Sequence, residues 1–152
     1  YIRVGRNAVP DVYTEDNCPF EMDKATVLGE GSDIAIIACG EMVEAAVKAA
    51  EVLNAEGIST GVLDMYCVKP LDTVAVIKAA NAAKAVIVIE EHTTIGGLGS
   101  MVCQVIAANA PRKVTCMGLP DAPVITGTSR EVFDYYHLNC DGIVAAAKKL
   151  LG

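Results

Sequence analysis

Two carboxylates, an imidazole and a run of glycines stand close together in the middle of this sequence, and residues of these types could do chemistry. Glu90, Glu91 and His92 directly follow the apolar run at 86–89, and Gly96-Gly-Leu-Gly-Ser100 comes shortly after them. Carboxylates beside an imidazole can exchange protons with a substrate near neutral pH. Glycines at the start of a helix let backbone amides approach a phosphate. The segment therefore suggests an acid–base site or an anion site at the end of a strand.

The rest of the sequence gives these groups little catalytic support. No Ser or Cys elbow, second metal-ligand cluster or D-x-D pattern accompanies them, so catalysis would need help from another chain. No glycine follows Gly99 by three residues and no Gly-Lys-Ser/Thr occurs, which excludes both standard nucleotide-binding fingerprints. We therefore expect Glu90, Glu91 and His92 to lie at a domain or dimer interface, and the glycines to seat a helix closely.

Composition and charge exclude several classes of function. The chain has 152 residues, 53% of them hydrophobic, with no Trp and two Phe, which predicts one domain with a core of Val, Ile, Leu and Ala. A net charge of -7 without a basic stripe argues against a nucleic-acid partner. No apolar run is long enough for a membrane helix, so we expect a soluble protein with no membrane partner.

The cysteines indicate the compartment. Six are present, without a C-x-x-C pair or zinc spacing, and most lie inside apolar runs. We expect buried, reduced thiols and therefore a cytoplasmic protein.

The predicted elements form a three-layer α/β/α domain with a mixed five-stranded sheet. Ala25–Leu28 and Ile34–Cys39 are separated by too few residues for a helical crossover, so the first strand should be antiparallel to the second. Strands and helices then alternate, which favours parallel neighbours. Right-handed crossovers allow the strand order 1-3-2-4-5, which is economical, and also 2-1-3-4-5. In the first order, a switch-point crevice lies beside Gly40-Glu41 and the segment at 90–92.

The predicted elements after the first two strands have these bounds. Strands are expected at Ile58–Tyr66, Ala85–Ile89 and Val114–Met117, and helices at 42–53, 70–83, Leu98–Asn109, Ser129–Tyr136 and Cys140–Leu151. In the second helix Pro70 should stand near the first turn and Asp72 should face the positive end of the helix dipole. His137 is expected to end a helix.

The first 23 residues read differently from the rest. Tyr1 to Arg6 reads as the end of a strand, and Asn7 to Asp23 is a non-periodic linker with two prolines. We expect the globular domain to occupy residues 24–152. Because the chain begins at Tyr1 inside an apolar run, it looks like part of something longer.

Several short motifs, in this order and spacing, resemble the C-terminal part of transketolase, and most closely the carboxyl-terminal piece of a split, two-subunit transketolase. The resemblance covers essentially the whole chain and rests on Tyr1-Ile-Arg-Val-Gly-Arg-Asn7, Val9-Pro-Asp-Val-Tyr13, Gly57-Ile58, Val68-Lys-Pro-Leu-Asp72, Glu90-Glu-His92 and Gly96-Gly-Leu-Gly-Ser100. It implies a mixed five-stranded sheet in the order 1-3-2-4-5 with strand 1 antiparallel. Residues 1–23 would then be the end of a pyrimidine-binding domain and an interdomain linker.

The resemblance also implies that different domains of the enzyme have different roles. Similar enzymes hold thiamine diphosphate and magnesium between two other domains and move a two-carbon ketol unit between sugar phosphates, while the third domain docks beside them and extends a homodimer contact. This chain lacks a Gly-Asp-Gly metal motif, its only Asp-Gly being Asp141-Gly142, so we expect it to bind no cofactor and to be inactive alone. The expected partners are the remaining transketolase domains or an N-terminal subunit. Arg6, in Gly5-Arg6-Asn7, resembles the arginine that grips the sugar phosphate, with Arg3 the weaker candidate.

Relatives with similar third domains remain as alternatives. They are deoxyxylulose-phosphate synthase and the beta subunits of 2-oxoacid dehydrogenases, over which the segment Tyr1–Tyr13 favours transketolase. A free-standing regulatory domain that binds a ligand in the switch-point crevice is a further alternative of a different class.

Overall fold

The computed structural model describes residues 1–5 and 8–152, and its strands and helices largely alternate along the chain. After an extended amino-terminal segment, the elements are β1 Thr26–Gly29, β2 Ile34–Ala38, α1 Met42–Ala55, β3 Thr60–Asp64, α2 Thr73–Ala82, β4 Ala85–Thr93, α3 Leu98–Asn109, β5 Lys113–Leu119, α4 Ser129–Tyr135 and α5 Cys140–Leu151. The bounds of α3 and α5 are those that the sequence predicts.

The five strands form one mixed sheet in the order β1-β3-β2-β4-β5. β1 pairs antiparallel with β3, whereas β2 pairs parallel with both β3 and β4, and β4 pairs parallel with β5. This topology confirms the predicted order 1-3-2-4-5 and excludes 2-1-3-4-5. It also confirms that the first two strands run in opposite directions, although β3 lies between them.

Two glycines, Gly31 in the β1–β2 connection and Gly61 in β3, let this short connection cross the start of β3. A Cβ atom at Gly61 would lie 2.6 Å from the Gly29 carbonyl oxygen and 2.6 Å from the Gly31 amide nitrogen. Because only glycine leaves room for backbone at these distances, the chain can pass from one side of β3 to the other within a few residues.

The sheet carries a hydrophobic core on each face, because side chains of a strand alternate between its two faces. On one face Ile34, Ile36 and Ile87 pack with residues of α1 and α5. On the other face Ile37 and Val88 pack with residues of α2 and α3. All five residues of β2 are buried, as expected of the central strand of such a three-layer domain.

Two helix ends test the predictions. Asp72 is the N-cap of α2 and accepts a hydrogen bond from the Ala75 amide (3.0 Å), as its expected place at the positive end of the helix dipole implies. The helix begins at Thr73, so the prediction that it starts at Pro70 is wrong: Pro70 precedes the N-cap and is not in the first turn. His137 has a positive φ of 57° directly after α4, and its amide donates to the Asp134 carbonyl (3.2 Å), which confirms its role at a helix end.

Two further predictions need correction. β4 continues through Glu90, Glu91 and His92 to Thr93, beyond the predicted end at Ile89, because β5 extends beside it and Leu119 pairs with Thr93 after a register shift. The cysteines are less buried than predicted: all six are free, Cys18 is exposed, and the other five are partly exposed.

Candidate functional site

The charged groups of interest meet at the carboxyl ends of β2, β3 and β4. β2 lies between β3 and β4, so the chain leaves β2 toward one side through α1 and returns on the other side through α2. The end of β2 is therefore the topological switch point, where open α/β sheets form their ligand crevices. This switch point lies beside Gly40-Glu41 and the segment at 90–92, as the strand order 1-3-2-4-5 requires, and a ligand crevice there stays a prediction.

Glu90 caps helix α3 from the neighbouring strand. Its side chain is buried, with the residue 4% exposed, and its two carboxylate oxygens accept hydrogen bonds from the Leu98 amide (2.8 Å) and the Gly99 amide (2.9 Å). The N-cap residue Gly97 has no side chain to serve these amides. A carboxylate at the positive end of a helix dipole makes strong, charge-assisted hydrogen bonds, which offset the cost of burying the charge.

The glycine run makes room for this carboxylate. A Cβ atom at Gly97 would lie 2.5 Å from Glu90 Oε1 and 2.6 Å from its carboxyl carbon. The Gly96 amide donates to the Ser100 hydroxyl (2.9 Å), which in turn donates to the Thr94 carbonyl (3.0 Å). The amides that a bound phosphate would need are therefore already bonded to groups of the chain, which supports the structural role of the glycines.

Glu91 connects the sheet to the amino-terminal segment. Its carboxylate lies 3.7 Å from the Arg3 guanidinium, whose side chain is 63% exposed, so this ion pair contributes little stability. Burial and the nearby Glu41 raise the pKa of Glu91, against the opposing effects of Arg3 and His92. Gly5 lies against the Glu41 side chain, where a Cβ atom would collide with the carboxylate. Residues 1–5 thus pass across the carboxyl ends of the strands.

His92 is exposed, in contrast to Glu90. Its Nδ1 atom lies 3.2 Å from the Thr93 carbonyl oxygen, a contact within its own strand. Of the three predicted interface residues, Glu91 and His92 thus lie at the surface, whereas Glu90 is buried inside the fold. Their contact with another domain stays a prediction.

Asp64, which is buried, and Tyr13, which is half-buried, form a pair that the sequence did not indicate. Asp64 ends β3 and is 6% exposed, and its Oδ2 atom accepts a hydrogen bond from the Tyr13 hydroxyl (2.7 Å). Its Oδ1 atom is buried and has no hydrogen-bond partner within the described residues. Burial raises the pKa of Asp64, while the Tyr13 hydrogen bond lowers it. No motif spacing marks Asp64, because it ends an ordinary apolar strand.

Cys39 directly follows β2 at the same switch point but is a poor nucleophile. Burial raises the pKa of its thiol to about 12, and the nearby carboxylates of Glu90 and Asp64 act in the same direction. Since the thiolate is the reactive form, Cys39 stays protonated and unreactive near neutral pH.

Residues 1–5 and 8–152 contain no group of three or more His, Cys, Asp or Glu side chains that could hold a metal ion. The same part of the chain has no helix with the length and hydropathy to cross a membrane. Arg6, the predicted phosphate-binding residue, lies outside the described residues.

The family follows from comparison with known proteins. Residues 23–143 match the family model described as the C-terminal domain of transketolase. This chain belongs to the transketolase C-terminal domain family. The membership confirms the resemblance carried by the short motifs, and the sheet order agrees with the fold that this resemblance implies.

Three similar proteins show how much of a relative the chain represents. It is 44% identical over 147 residues to an apulose-4-phosphate transketolase subunit of Phocaeicola vulgatus, covering 97% of this chain and 47% of that protein. It is 35% identical over 137 residues to the 1-deoxy-D-xylulose-5-phosphate synthase of Chlorobium luteolum, covering 89% and 22%. A solved split-gene transketolase, titled an inactive beta4 tetramer, superposes with a TM-score of 0.87 at 40% identity, covering 97% and 48%.

The buried Glu90 carboxylate yields a prediction about the stability of this transketolase C-terminal domain. Glu90→Gln should lower its free energy of unfolding by about 1.5–3 kcal/mol, because the amide NH₂ cannot accept the hydrogen bond that a carboxylate oxygen accepts. The adjacent Glu91→Gln should cost less than about 1 kcal/mol, since its ion pair is largely exposed. Urea unfolding measures both. Equal losses in the two variants would contradict the capping role of Glu90.

The raised pKa of Asp64 yields a second prediction. The folded state binds this proton more tightly than the unfolded chain, so the stabilising effect is complete below about pH 4 and is lost as pH rises through the folded pKa. Asp64→Asn keeps an acceptor for the Tyr13 hydroxyl and removes the buried charge. We expect the variant to unfold at pH 7 with a free energy equal to or above that of the wild type, and this advantage to disappear on acidification.

Urea unfolding between pH 4 and 8 tests this expectation. Tyr13→Phe is the matched control, since it removes the hydrogen bond and should cost about 1 kcal/mol. If Asp64→Asn were less stable than the wild type by the same amount at every pH, ionisation of the Asp64 carboxylate would not destabilise the folded state.

Proposed function

We propose that this chain is the docking and dimerisation part of a thiamine-diphosphate-dependent transketolase and holds no cofactor by itself. The parent enzyme would transfer a two-carbon ketol unit from a ketose phosphate to an aldose phosphate. The observation that carries the proposal is the match to the apulose-4-phosphate transketolase subunit, which spans 97% of this chain but 47% of that relative. About half of such a protein lies outside this chain, and the remaining domains or an N-terminal subunit would supply it.

The chemistry of the site supports a role without cofactor. Both oxygens of Glu90 accept hydrogen bonds from α3, so this carboxylate is not available to a thiazolium or pyrimidine ring. Cys39 is protonated near neutral pH. The sequence has no Gly-Asp-Gly motif for magnesium and diphosphate. The residues of this chain therefore do not fit thiamine diphosphate and magnesium, and we assign no reaction step to them.

The amino-terminal segment supports a docking role. Tyr1, Ile2 and Val4 are 81–114% exposed on extended chain, whereas Arg3 pairs with Glu91 at the carboxyl ends of the strands. Exposed apolar side chains in one place mark a surface that another protein domain covers. We infer that a neighbouring domain packs here, over residues 1–5, Glu91 and His92, and that the homodimer contact extends from it.

Transketolase is favoured over deoxyxylulose-phosphate synthase by the identity and extent of the two matches. The match to the transketolase of Phocaeicola vulgatus includes 97% of this chain at 44% identity, whereas the synthase match includes 89% at 35% identity. A free-standing regulatory domain is less well supported, because the glycine-rich loop at the switch point binds groups of its own chain.

The proposal predicts how cofactor binding is divided between parts of the enzyme. Titration calorimetry of this chain with thiamine diphosphate and magnesium should show no saturable heat, because it lacks a metal loop. The same titration with this chain combined with the remaining transketolase domains, including both domains that hold the cofactor, should show saturable binding, and a ketol-transfer assay of that assembly should show turnover. Micromolar, magnesium-dependent binding to the chain alone would overturn the docking role.

The same assembly tests the contact surface. Glu91→Ala and His92→Ala should weaken the association of this chain with the other transketolase domains, as measured by analytical ultracentrifugation. The matched control is Lys78→Ala. Its exposed ion pair with Glu30 lies beside the edge strand β1, away from Glu91 and His92 on β4. If the interface variants kept association unchanged but lost most turnover, Glu91 and His92 would be catalytic instead.

Arg6 yields a prediction about substrate binding. A guanidinium binds phosphate through paired, charge-assisted hydrogen bonds, so Arg6→Ala in the complete enzyme should raise the Michaelis constant for phosphorylated sugars. The expected loss is about 1.5–3 kcal/mol of transition-state binding, as measured by steady-state kinetics. Glycolaldehyde, which carries no phosphate, should be affected far less.

Arg130→Ala is the matched control for Arg6, because this arginine lies on α4 with its side chain 92% exposed, outside the proposed contact surface. Equal losses on phosphorylated and unphosphorylated acceptors would mean that Arg6 maintains the fold and does not bind phosphate.

A further inference from the structure

Two cysteines lie in contact between helix α3 and the edge strand β5, outside the site described above. The sulfur atoms of Cys103 and Cys116 are 3.7 Å apart, and neither residue has a role in the proposed function. The two sulfurs are in contact, and they must approach from this separation to the roughly 2.05 Å of a disulfide bond.

A glycine lets the helix approach the strand closely at this point. A Cβ atom at Gly99 would lie 2.8 Å from the sulfur of Cys116 and 3.1 Å from its Cβ atom. Cys103 follows Gly99 by one helical turn, so both residues face β5. The close packing that Gly99 permits is therefore what brings the two thiols together.

The environment of the pair permits slow reaction with small molecules. Both cysteines are partly exposed, and β5 is the last strand of the sheet, with one edge unpaired. Burial raises the pKa of the Cys116 thiol to about 12, with the adjacent Cys103 thiol acting in the same direction. At neutral pH Cys116 is therefore protonated and is not an activated nucleophile, and its reaction should accelerate with pH.

We propose that Cys103 and Cys116 form a dithiol site that a small disulfide, such as oxidised glutathione, converts to an intrachain disulfide bond. The thiolate of one cysteine attacks a sulfur of the small disulfide, which forms a mixed disulfide and releases one small thiol. The thiolate of the other cysteine attacks the protein sulfur of that mixed disulfide, forms the intrachain bond and releases the second small thiol. The two electrons from the protein thiols reduce the small disulfide, and the two protons of these thiols appear on the released molecules.

The bond would fasten α3 to β5 close to the amides that Glu90 caps. It closes a loop of about 14 residues, and such a cross-link restricts the unfolded chain more than the folded one. We therefore expect the oxidised protein to melt at a higher temperature than the reduced protein. In a reducing compartment the thiols would persist, and the linked form would accumulate under oxidising conditions.

Peptide mapping tests the link directly. Trypsin leaves Cys103 and Cys116 on separate peptides, 85–112 and 114–130, each with one cysteine. The purified protein is incubated with oxidised glutathione at pH 8, alkylated and digested. We expect loss of two of its six free thiols and a linked peptide about 2 Da lighter than the sum of the two reduced peptides.

Matched variants and a denatured sample control this result. Cys103→Ser and Cys116→Ser should each abolish the linked peptide, whereas Cys140→Ser, at another partly exposed cysteine, should leave it unchanged. In urea the yield of this pair should fall relative to other pairs, because folding no longer holds the two thiols in contact. Mixed disulfides with glutathione at all cysteines without the Cys103–Cys116 link, or equal yields of the link in urea and in buffer, would overturn the proposal.

Discussion

The hydrogen bonds from helix α3 to the buried Glu90 carboxylate are the constraint on which the carboxyl end of the sheet depends. They fix the start of α3 against β4, satisfy a charge inside the fold and let β4 continue to Thr93. Gly97 follows from the same requirement, because a side chain there would displace the carboxylate. Gly99 has a different reason, since a side chain there would collide with Cys116 on β5. The glycine run thus serves an anion that the chain itself provides.

The amino-terminal part of the chain contacts the switch point next to Glu90. Residues 1–5 cross it, Arg3 pairs with Glu91, and the Tyr13 hydroxyl donates to Asp64 at the end of β3. Open α/β sheets ordinarily bind small ligands at this position. Here the carboxylates of Glu91 and Asp64 contact the amino-terminal part of the chain, and the carboxylate of Glu90 accepts hydrogen bonds from amides of α3.

Membership of the transketolase C-terminal domain family gives this arrangement its context. The chain corresponds to about half of the apulose-4-phosphate transketolase subunit that it resembles, so its site is interpreted as one face of a larger enzyme. Glu90 then stabilises the domain, whereas Glu91 and His92 are proposed to contact other domains and Arg6 is proposed to contact the substrate.

In the sequence, hydrophobic periodicity and the short β1–β2 connection restricted the sheet to two strand orders, 1-3-2-4-5 and 2-1-3-4-5. The order and spacing of the short motifs identified the family, whose resemblance implies the first of these orders. The bounds of α3 were predictable because glycines precede an unbroken apolar period. Asp64, Tyr13 and the contact of Cys103 with Cys116 were not, since residues far apart in the chain meet only when β3, β5 and α3 are assembled. Tertiary structure also decided the role of Glu90: its neighbours in sequence suggest a charged surface, whereas packing against the helix amides makes it a buried cap.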